Sequence, residues 1–129
     1  MSVYLDTSAA AKLLVEEQES DALARYLDGL DAEDDLSSSA LLETELRRVA
    51  VRERLPQAAV SEVLARVALV EPGRSLFHEA GLLPGGTLRS MDALHLATAL
   101  RLDAAVVVAY DVRLIESARA LGLDVLSPQ

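Results

Sequence analysis

Ala104-Ala105-Val106-Val107-Val108-Ala109-Tyr110-Asp111 is the stretch whose reading decides the architecture. Adjacent valines inside a short apolar run favour a strand over a helix. The run is apolar without alternation, so both of its faces are expected to be covered, as in a parallel sheet flanked by helices. Asp111 then opens a helical pattern that runs to Leu121, Gly122 ends it, and Leu123 to Leu126 reads as a last strand. Upstream, Ser90 is placed to cap a helix reaching about Leu102, and Leu83-Pro84-Gly85-Gly86-Thr87 before it is the plainest loop in the chain.

The rest of the chain repeats that alternation. Val3 to Leu5 is a short apolar strand, followed by the helix-start signature Asp6-Thr7-Ser8 and a helix from Ala9 to Val15. A second helix is expected over Ser20 to Leu30, and the acidic Asp31 to Asp35 reads as an exposed turn. Leu36 to Ser39 is a weak strand. Helical spacing resumes from Ala40 to Arg54, Pro56 begins a helix reaching about Ala65, Val67 to Val70 is a strand, and Arg74 to Leu82 is helical. Strands alternating with helices place the chain in the α/β class with a parallel sheet. No repeat, linker or low-complexity segment divides residues 1–129, so one domain is expected. In open sheets of this class ligands gather beyond the carboxyl ends of the strands. Asp6 and Asp111 stand at two such ends.

Composition narrows the function. Apolar residues make up 51% of the 129 and aromatics only 3%, so the core is expected to be aliphatic. The absence of cysteine removes disulfide frameworks, zinc–thiolate sites and cysteine nucleophiles together. No apolar run approaches the roughly 18 residues that span a bilayer, and Met1 to Asp6 carries no signal-peptide pattern. A cytoplasmic protein without membrane contact is the expectation. The net charge of −9 argues against a nucleic-acid partner, because phosphate binders usually present a basic surface, and Lys12 is the only lysine. The other possibility is that part of this negative charge forms a site neutralised by divalent cations. The placement of the carboxylates favours the second.

Asp6 and Asp111 each have an ordinary use as helix N-caps. Yet Thr7 and Ser8 could cap equally well, and a charge at the end of a buried strand needs a cation or several donors. Glu45 is more telling. In the helix from Ala40 to Arg54 it shares the apolar stripe with Leu41 and Val49, beside Leu42 and Leu46, whereas Glu43 faces outward, four residues before Arg47. A buried pairing with an arginine or a place in a metal site would each account for it. Asp92 lies in the first turn of a helix that is apolar almost all round, where the helix dipole suits a negative charge. His95, one turn on, reads as a packed, hydrogen-bonded histidine. Four acids gathered at one sheet edge could not all ionise without cations. Hard oxygen donors without Cys or a His pair select Mg²⁺ or Mn²⁺.

These residues also carry a resemblance. Tyr4-Leu5-Asp6-Thr7-Ser8-Ala9 with Lys12-Leu13-Leu14, Ser39 to Glu45, Arg89 to Ala99, Tyr110-Asp111-Val112-Arg113-Leu114 and Ala118 to Gly122 together resemble a PIN domain, and within that family the VapC toxins of bacterial toxin–antitoxin pairs. The likeness runs in order along nearly the whole chain. It implies a three-layer α/β/α fold around a central parallel sheet and Mg²⁺- or Mn²⁺-dependent endoribonuclease activity. It places the family's four acidic positions on Asp6, Glu45, Asp92 and Asp111, and its supporting hydroxyl on Ser8 with Thr7 beside it. It further implies a cognate antitoxin whose C-terminal segment covers the site, and a homodimer. The chain departs from the pattern at Ala109, where many relatives carry Thr two residues before the last aspartate.

The chemistry implied is hydrolysis of an RNA phosphodiester, with no side-chain nucleophile. Lys12, Arg89 and Arg113 lie near the acids in sequence and are candidates to hold the substrate, although each could be a surface ion pair. With so few aromatics, base stacking is not an obvious means of recognition. Leu42, Leu46, Val49, Val60, Val63 and Leu64 supply apolar surface for a core or a groove. Two rivals fit poorly: a receiver-type phosphotransfer domain would carry paired acids after the first strand, and a haloacid-dehalogenase-like phosphatase would carry a second aspartate where Ser8 stands. A catalytically silent PIN-like module that binds RNA or protein is the remaining alternative.

Overall fold

The computed structural model describes residues 1–129. Five strands form one parallel sheet: β1 (Ser2–Leu5), β2 (Asp35–Ser39), β3 (Ala68–Val70), β4 (Val106–Val108) and β5 (Val125–Leu126), in the order β3-β2-β1-β4-β5. The register aligns Val3 with Leu36 on one side and with Val106 on the other. From β1 the chain builds outward through β2 to β3, then returns to lay β4 against the other side of β1. The order therefore reverses between β1 and β4, which is where open α/β sheets form ligand crevices.

Seven α-helices cover the sheet: α1 (Thr7–Ala10), α2 (Ser20–Asp28), α3 (Leu41–Glu53), α4 (Gln57–Leu64), α5 (Arg74–Gly81), α6 (Ser90–Arg101) and α7 (Val112–Ala120). Side chains alternate along the strands and so feed two separate cores. Val3, Leu5 and Val108 pack with Ala9, Leu23, Leu42, Leu46 and Val60 on the face covered by α1 to α4. Tyr4, Val107 and Ala109 pack with Leu96, Ala99, Leu114 and Ala118 on the opposite face. Leu76 and Ala80 of α5 join Ala93, Leu94 and Ala97 of α6 in a third cluster. The result is the three-layer α/β/α arrangement.

Several local features differ from the sequence reading. The helix expected from Ala9 to Val15 is instead the short α1 followed by a 3₁₀ turn, Ala11–Leu13. The carbonyl of Lys12 is taken by the Ser20 hydroxyl at 2.7 Å rather than by a further helical turn. Ser90 is the first residue of α6 and not its cap; the cap position falls on Arg89, whose side chain makes no capping bond. The weak strand Leu36 to Ser39 is a full member of the sheet between β1 and β3. Its polar side chains are satisfied inside the fold, with the buried Ser38 hydroxyl donating to the Leu5 carbonyl at 2.7 Å. Leu42, Leu46, Val49 and Val60 are core, so the apolar surface they promised is not a groove. The exposed apolar side chains are elsewhere, Phe77, Leu82 and Met91 among them. No helix is long and apolar enough to cross a membrane.

Leu46 is fully buried between α3 and the sheet. Leu46→Ala is expected to cost about 2–5 kcal/mol of stability, measured by urea unfolding, with the slope of the transition unchanged.

Candidate active site

The site assembles at the carboxyl ends of β1 and β4. Asp6 leaves β1 directly and is 4% exposed. Its Oδ2 accepts the Ser8 backbone N–H at 3.1 Å and the Ser8 hydroxyl at 2.6 Å, which caps α1. The same hydroxyl accepts the backbone N–H groups of Tyr110 at 2.9 Å and Asp111 at 3.2 Å. Ser8 thus pins the turn after β4 to the turn after β1. Asp111 is exposed and caps α7, its Oδ1 accepting from the N–H groups of Arg113 and Leu114 at 2.9 and 3.3 Å. The capping roles open to Asp6 and Asp111 are both realised, and they aim two carboxylates at one crevice.

Asp92 joins them from the first turn of α6. Its carboxyl is raised above the usual carboxylate range, first by burial and then by the negative charges of Asp6 and Asp111, against the opposing pull of His95 and Arg89. Three aspartates from three elements therefore lie within electrostatic reach of one another. None of the three forms a salt bridge. Asp92 also lines a cleft of ≈ 290 Å³ with Thr87, Leu88, Arg113, Glu116 and Ser117.

Glu45 is reached from α3, and neither of its two side-chain partners is the arginine that a buried ion pair would need. Its Oε1 accepts the Thr7 hydroxyl at 2.9 Å and lies 2.6 Å from Nε2 of His95. Thr7 therefore supports Glu45, while Ser8 supports Asp6. His95 is 1% exposed, and its Nδ1 lies 2.8 Å from the Tyr4 hydroxyl. Burial alone would lower the imidazole's pKa, but the bond to Glu45 and the charges of Asp6, Glu45 and Asp92 outweigh it and leave it raised. The histidine so links the fourth acid to the first three.

The cationic candidates divide. Lys12 is held by Glu17 and, at 3.1 Å, by Glu19, and it lies over the Tyr110 ring 4.8 Å from its centroid. Its charge is spent within the protein and is not offered to a phosphate. Arg89 and Arg113 are exposed and form no salt bridge. Glu116, in the cleft with Asp92, was not singled out from the sequence, where nothing separates it from a surface acid of an amphipathic helix. Tyr4 was likewise read only as a strand residue.

The donor set suits a hard divalent cation. Asp6 receives both of its side-chain bonds on Oδ2, so Oδ1 is free of protein partners and is not sealed from solvent. Three acids share the crevice without a positive partner among them. As the side chains stand, no three His, Asp or Glu groups converge on one point that could hold an ion. The chemistry of the donors fits the ion, and the cage is open.

The model of the family described as PIN domain matches residues 3–120. Ribonuclease VapC35 of Mycobacterium tuberculosis (strain ATCC 25618 / H37Rv) is 44% identical, over 98% of this chain and 96% of that protein. Ribonuclease VapC46 of the same strain is 38% identical, over 98% of each. Among solved structures, VapBC2 from Rickettsia felis bound to a promoter DNA fragment superposes with a TM-score of 0.76 at 16% identity, covering 100% of both chains. Mycobacterium tuberculosis VapC20, a sarcin-ricin loop cleaving toxin, superposes with a TM-score of 0.74 at 19% identity, covering 98% of this chain and 99% of that one.

Ser8→Ala removes a donor from Asp6 and an acceptor from two backbone amides. A loss of about 1–3 kcal/mol is expected in urea unfolding, because the freed polar groups are partly buried. An unchanged midpoint would show that the two turns do not depend on this hydroxyl.

Proposed function

The chain belongs to the PIN domain family, and on that premise we propose that it is a Mg²⁺- or Mn²⁺-dependent endoribonuclease, the toxin of a toxin–antitoxin pair. The observation that carries this reading is the meeting of Asp6 and the Asp111 turn, tied through the Ser8 hydroxyl at the sheet's switch point, with Asp92 close enough to feel both charges. The names of VapC35 and VapC46 as ribonucleases support the reaction class.

Asp6, Asp92 and Asp111 would hold the cation, with Glu45 direct or through water. When bound, such an ion lowers the pKa of an attacking water and stabilises charge on the oxygens of an in-line phosphoryl displacement. The chain's own side chains set up that reaction. Ser8 fixes the Asp6 carboxylate and ties it to the backbone of Asp111. The cap bonds of α7 orient Asp111. Arg89 and Arg113, exposed and free of salt bridges near Asp92, would supply positive charge to the RNA phosphates. The hydroxyls nearest the acids are already committed, Ser8 to Asp6 and Thr7 to Glu45. In this reading both hydroxyls serve as supports, a water attacks the phosphorus and the phosphodiester is hydrolysed.

The partner in this reading is a cognate antitoxin. A solved toxin–antitoxin complex from Klebsiella pneumoniae superposes on this chain with a TM-score of 0.72 over 98% of each chain, which supports such a pairing. The exposed Phe77 stands at a groove of ≈ 320 Å³ that also includes Ala80, Leu83, Leu88, Ser90 and Leu94 and offers a surface for it. We place the protein in the cytoplasm as a homodimer, where its RNA substrate and antitoxin meet it.

Cleavage of total cellular RNA with end mapping tests the reaction. EDTA should abolish cutting and Mn²⁺ should restore it. Asp6→Asn and Asp92→Asn should each lower the rate by at least about 100-fold while circular dichroism stays unchanged. Full activity in both variants would remove the proposal. Calorimetric binding of Mn²⁺ without any cleavage would favour the silent binding module. Arg113→Ala should raise KM for RNA and flatten the salt dependence of binding more than it lowers kcat.

A further inference from the structure

Tyr4 and His95 are buried polar residues that the hydrolysis scheme does not use. Each is 1% exposed, and they meet edge to face with ring centroids 6.0 Å apart. The Tyr4 hydroxyl accepts the backbone N–H of Ser39 at 3.1 Å. It therefore has one proton to give, and Nδ1 of His95 stands 2.8 Å away to accept it. The neutral ring that accepts on Nδ1 and the doubly protonated ring both carry an N–H on Nε2, and it is this donor that the clamp on Glu45 requires. That nitrogen faces Oε1 of Glu45 at 2.6 Å and the Thr7 hydroxyl at 3.3 Å. The order of donation runs from the β2 backbone through Tyr4 and His95 to Glu45. Four elements contribute to it: β2, β1, α6 and α3.

The end of the relay determines what Glu45 can do. Oε1 takes the His95 N–H and the Thr7 O–H, which occupies that oxygen. Oε2 has no hydrogen-bond partner, and it is not among the buried atoms that lack one, so solvent reaches it. Glu45 is the only one of the four acids carried on the α1-to-α4 side of the sheet by a helix other than the strand-end turns. Without a fixed partner its long side chain would be free to swing among rotamers. We infer that His95 and Tyr4 are positioning residues that clamp one oxygen of Glu45 and leave Oε2 as the single oxygen presented to a divalent cation. This rests on the nuclease reading above. It adds that a hydrogen-bond chain rooted in the β2 backbone sets the geometry of the fourth acid. Partners of this kind typically change metal affinity or activity by 10- to 100-fold when removed, although they touch neither metal nor substrate.

The test uses four variants of the full chain. His95→Leu fills the space but removes the donor. His95→Gln returns an amide N–H near the position of Nε2. Tyr4→Phe keeps the ring and removes the hydroxyl that fixes the tautomer. Thr7→Val, at a partly exposed position, removes the second donor to Oε1 and keeps the study informative should the core variants fail to fold. Mn²⁺ affinity is read by calorimetry, RNA cleavage is split into kcat and KM at saturating Mn²⁺, and the His95 ring nitrogens are observed by ¹⁵N NMR without metal. Expected are a loss of about 10- to 100-fold in Mn²⁺ affinity for His95→Leu, smaller losses for Tyr4→Phe and Thr7→Val, recovery in His95→Gln, and an unaltered KM for RNA. The wild-type ring should carry its proton on Nε2. Unchanged Mn²⁺ affinity in folded His95→Leu and Tyr4→Phe, or in Thr7→Val if those two do not fold, would overturn the inference while leaving the nuclease reading in place. A ring protonated on Nδ1 alone would also overturn it. A wild-type protein that neither binds Mn²⁺ nor cuts RNA would overturn the nuclease reading itself, and this inference with it.

Discussion

Holding several negative charges at one end of a parallel sheet is the constraint to which the rest of this structure answers. A carboxylate as buried as Asp6 is tolerated only with donors or a cation beside it. The protein supplies donors in part: Ser8 gives two bonds to one oxygen of Asp6 and leaves the other open. It does the same at Glu45, where Thr7 and His95 occupy one oxygen. At both positions one solvent-accessible oxygen is left for a further partner. The repulsion among Asp6, Asp92 and Asp111, which adds to burial in raising the Asp92 carboxyl, is what a divalent ion would relieve.

The same constraint reconciles a net charge of −9 with a polyanionic substrate. Attraction for RNA need not come from the surface as a whole when cations can be recruited at the point of reaction. What the protein must add is local positive charge that its own acids do not consume. Lys12 fails that requirement because two glutamates take it. Arg89 and Arg113 meet it, and a guanidinium grips a phosphate in two places where an ammonium meets it as a point charge.

Much of this could be read along the chain, and the exceptions have physical causes. Valine runs and helix caps are local signals, so β4, α7 and the two capping aspartates were legible directly. Glu45 was legible because helical periodicity places it among leucines. Its partner was not, since His95 lies 50 residues away and only the tertiary fold brings the two side chains together. β2 was faint for a related reason. Its run of serines looks like a poor strand until Ser38 finds the Leu5 carbonyl and the Ser39 amide finds Tyr4. The early end of α1 and the capture of Lys12 both arise in the aperiodic stretch before Ser20, where side chains compete with the helix for the same carbonyls.

The alanine at position 109, a departure from the pattern this chain resembles, bears on how firmly the two halves of the site are joined. Ala109 is fully buried in an apolar cluster with Leu96 and Leu114, and its own backbone is already engaged, by Leu126 on one side and by the Ser127 hydroxyl on the other. It has no hydroxyl to lend to the turn that follows. The amides of Tyr110 and Asp111 in that turn both point at Ser8 instead. One hydroxyl therefore does two jobs, orienting Asp6 and anchoring Asp111. Concentrating both in Ser8 couples the positions of the two carboxylates, because a shift in either turn is felt through a single atom. The spacing between the acids, on which any shared cation would depend, is held by that atom together with the backbone bond from Asp6 to the Val108 carbonyl and the cap bonds of α7.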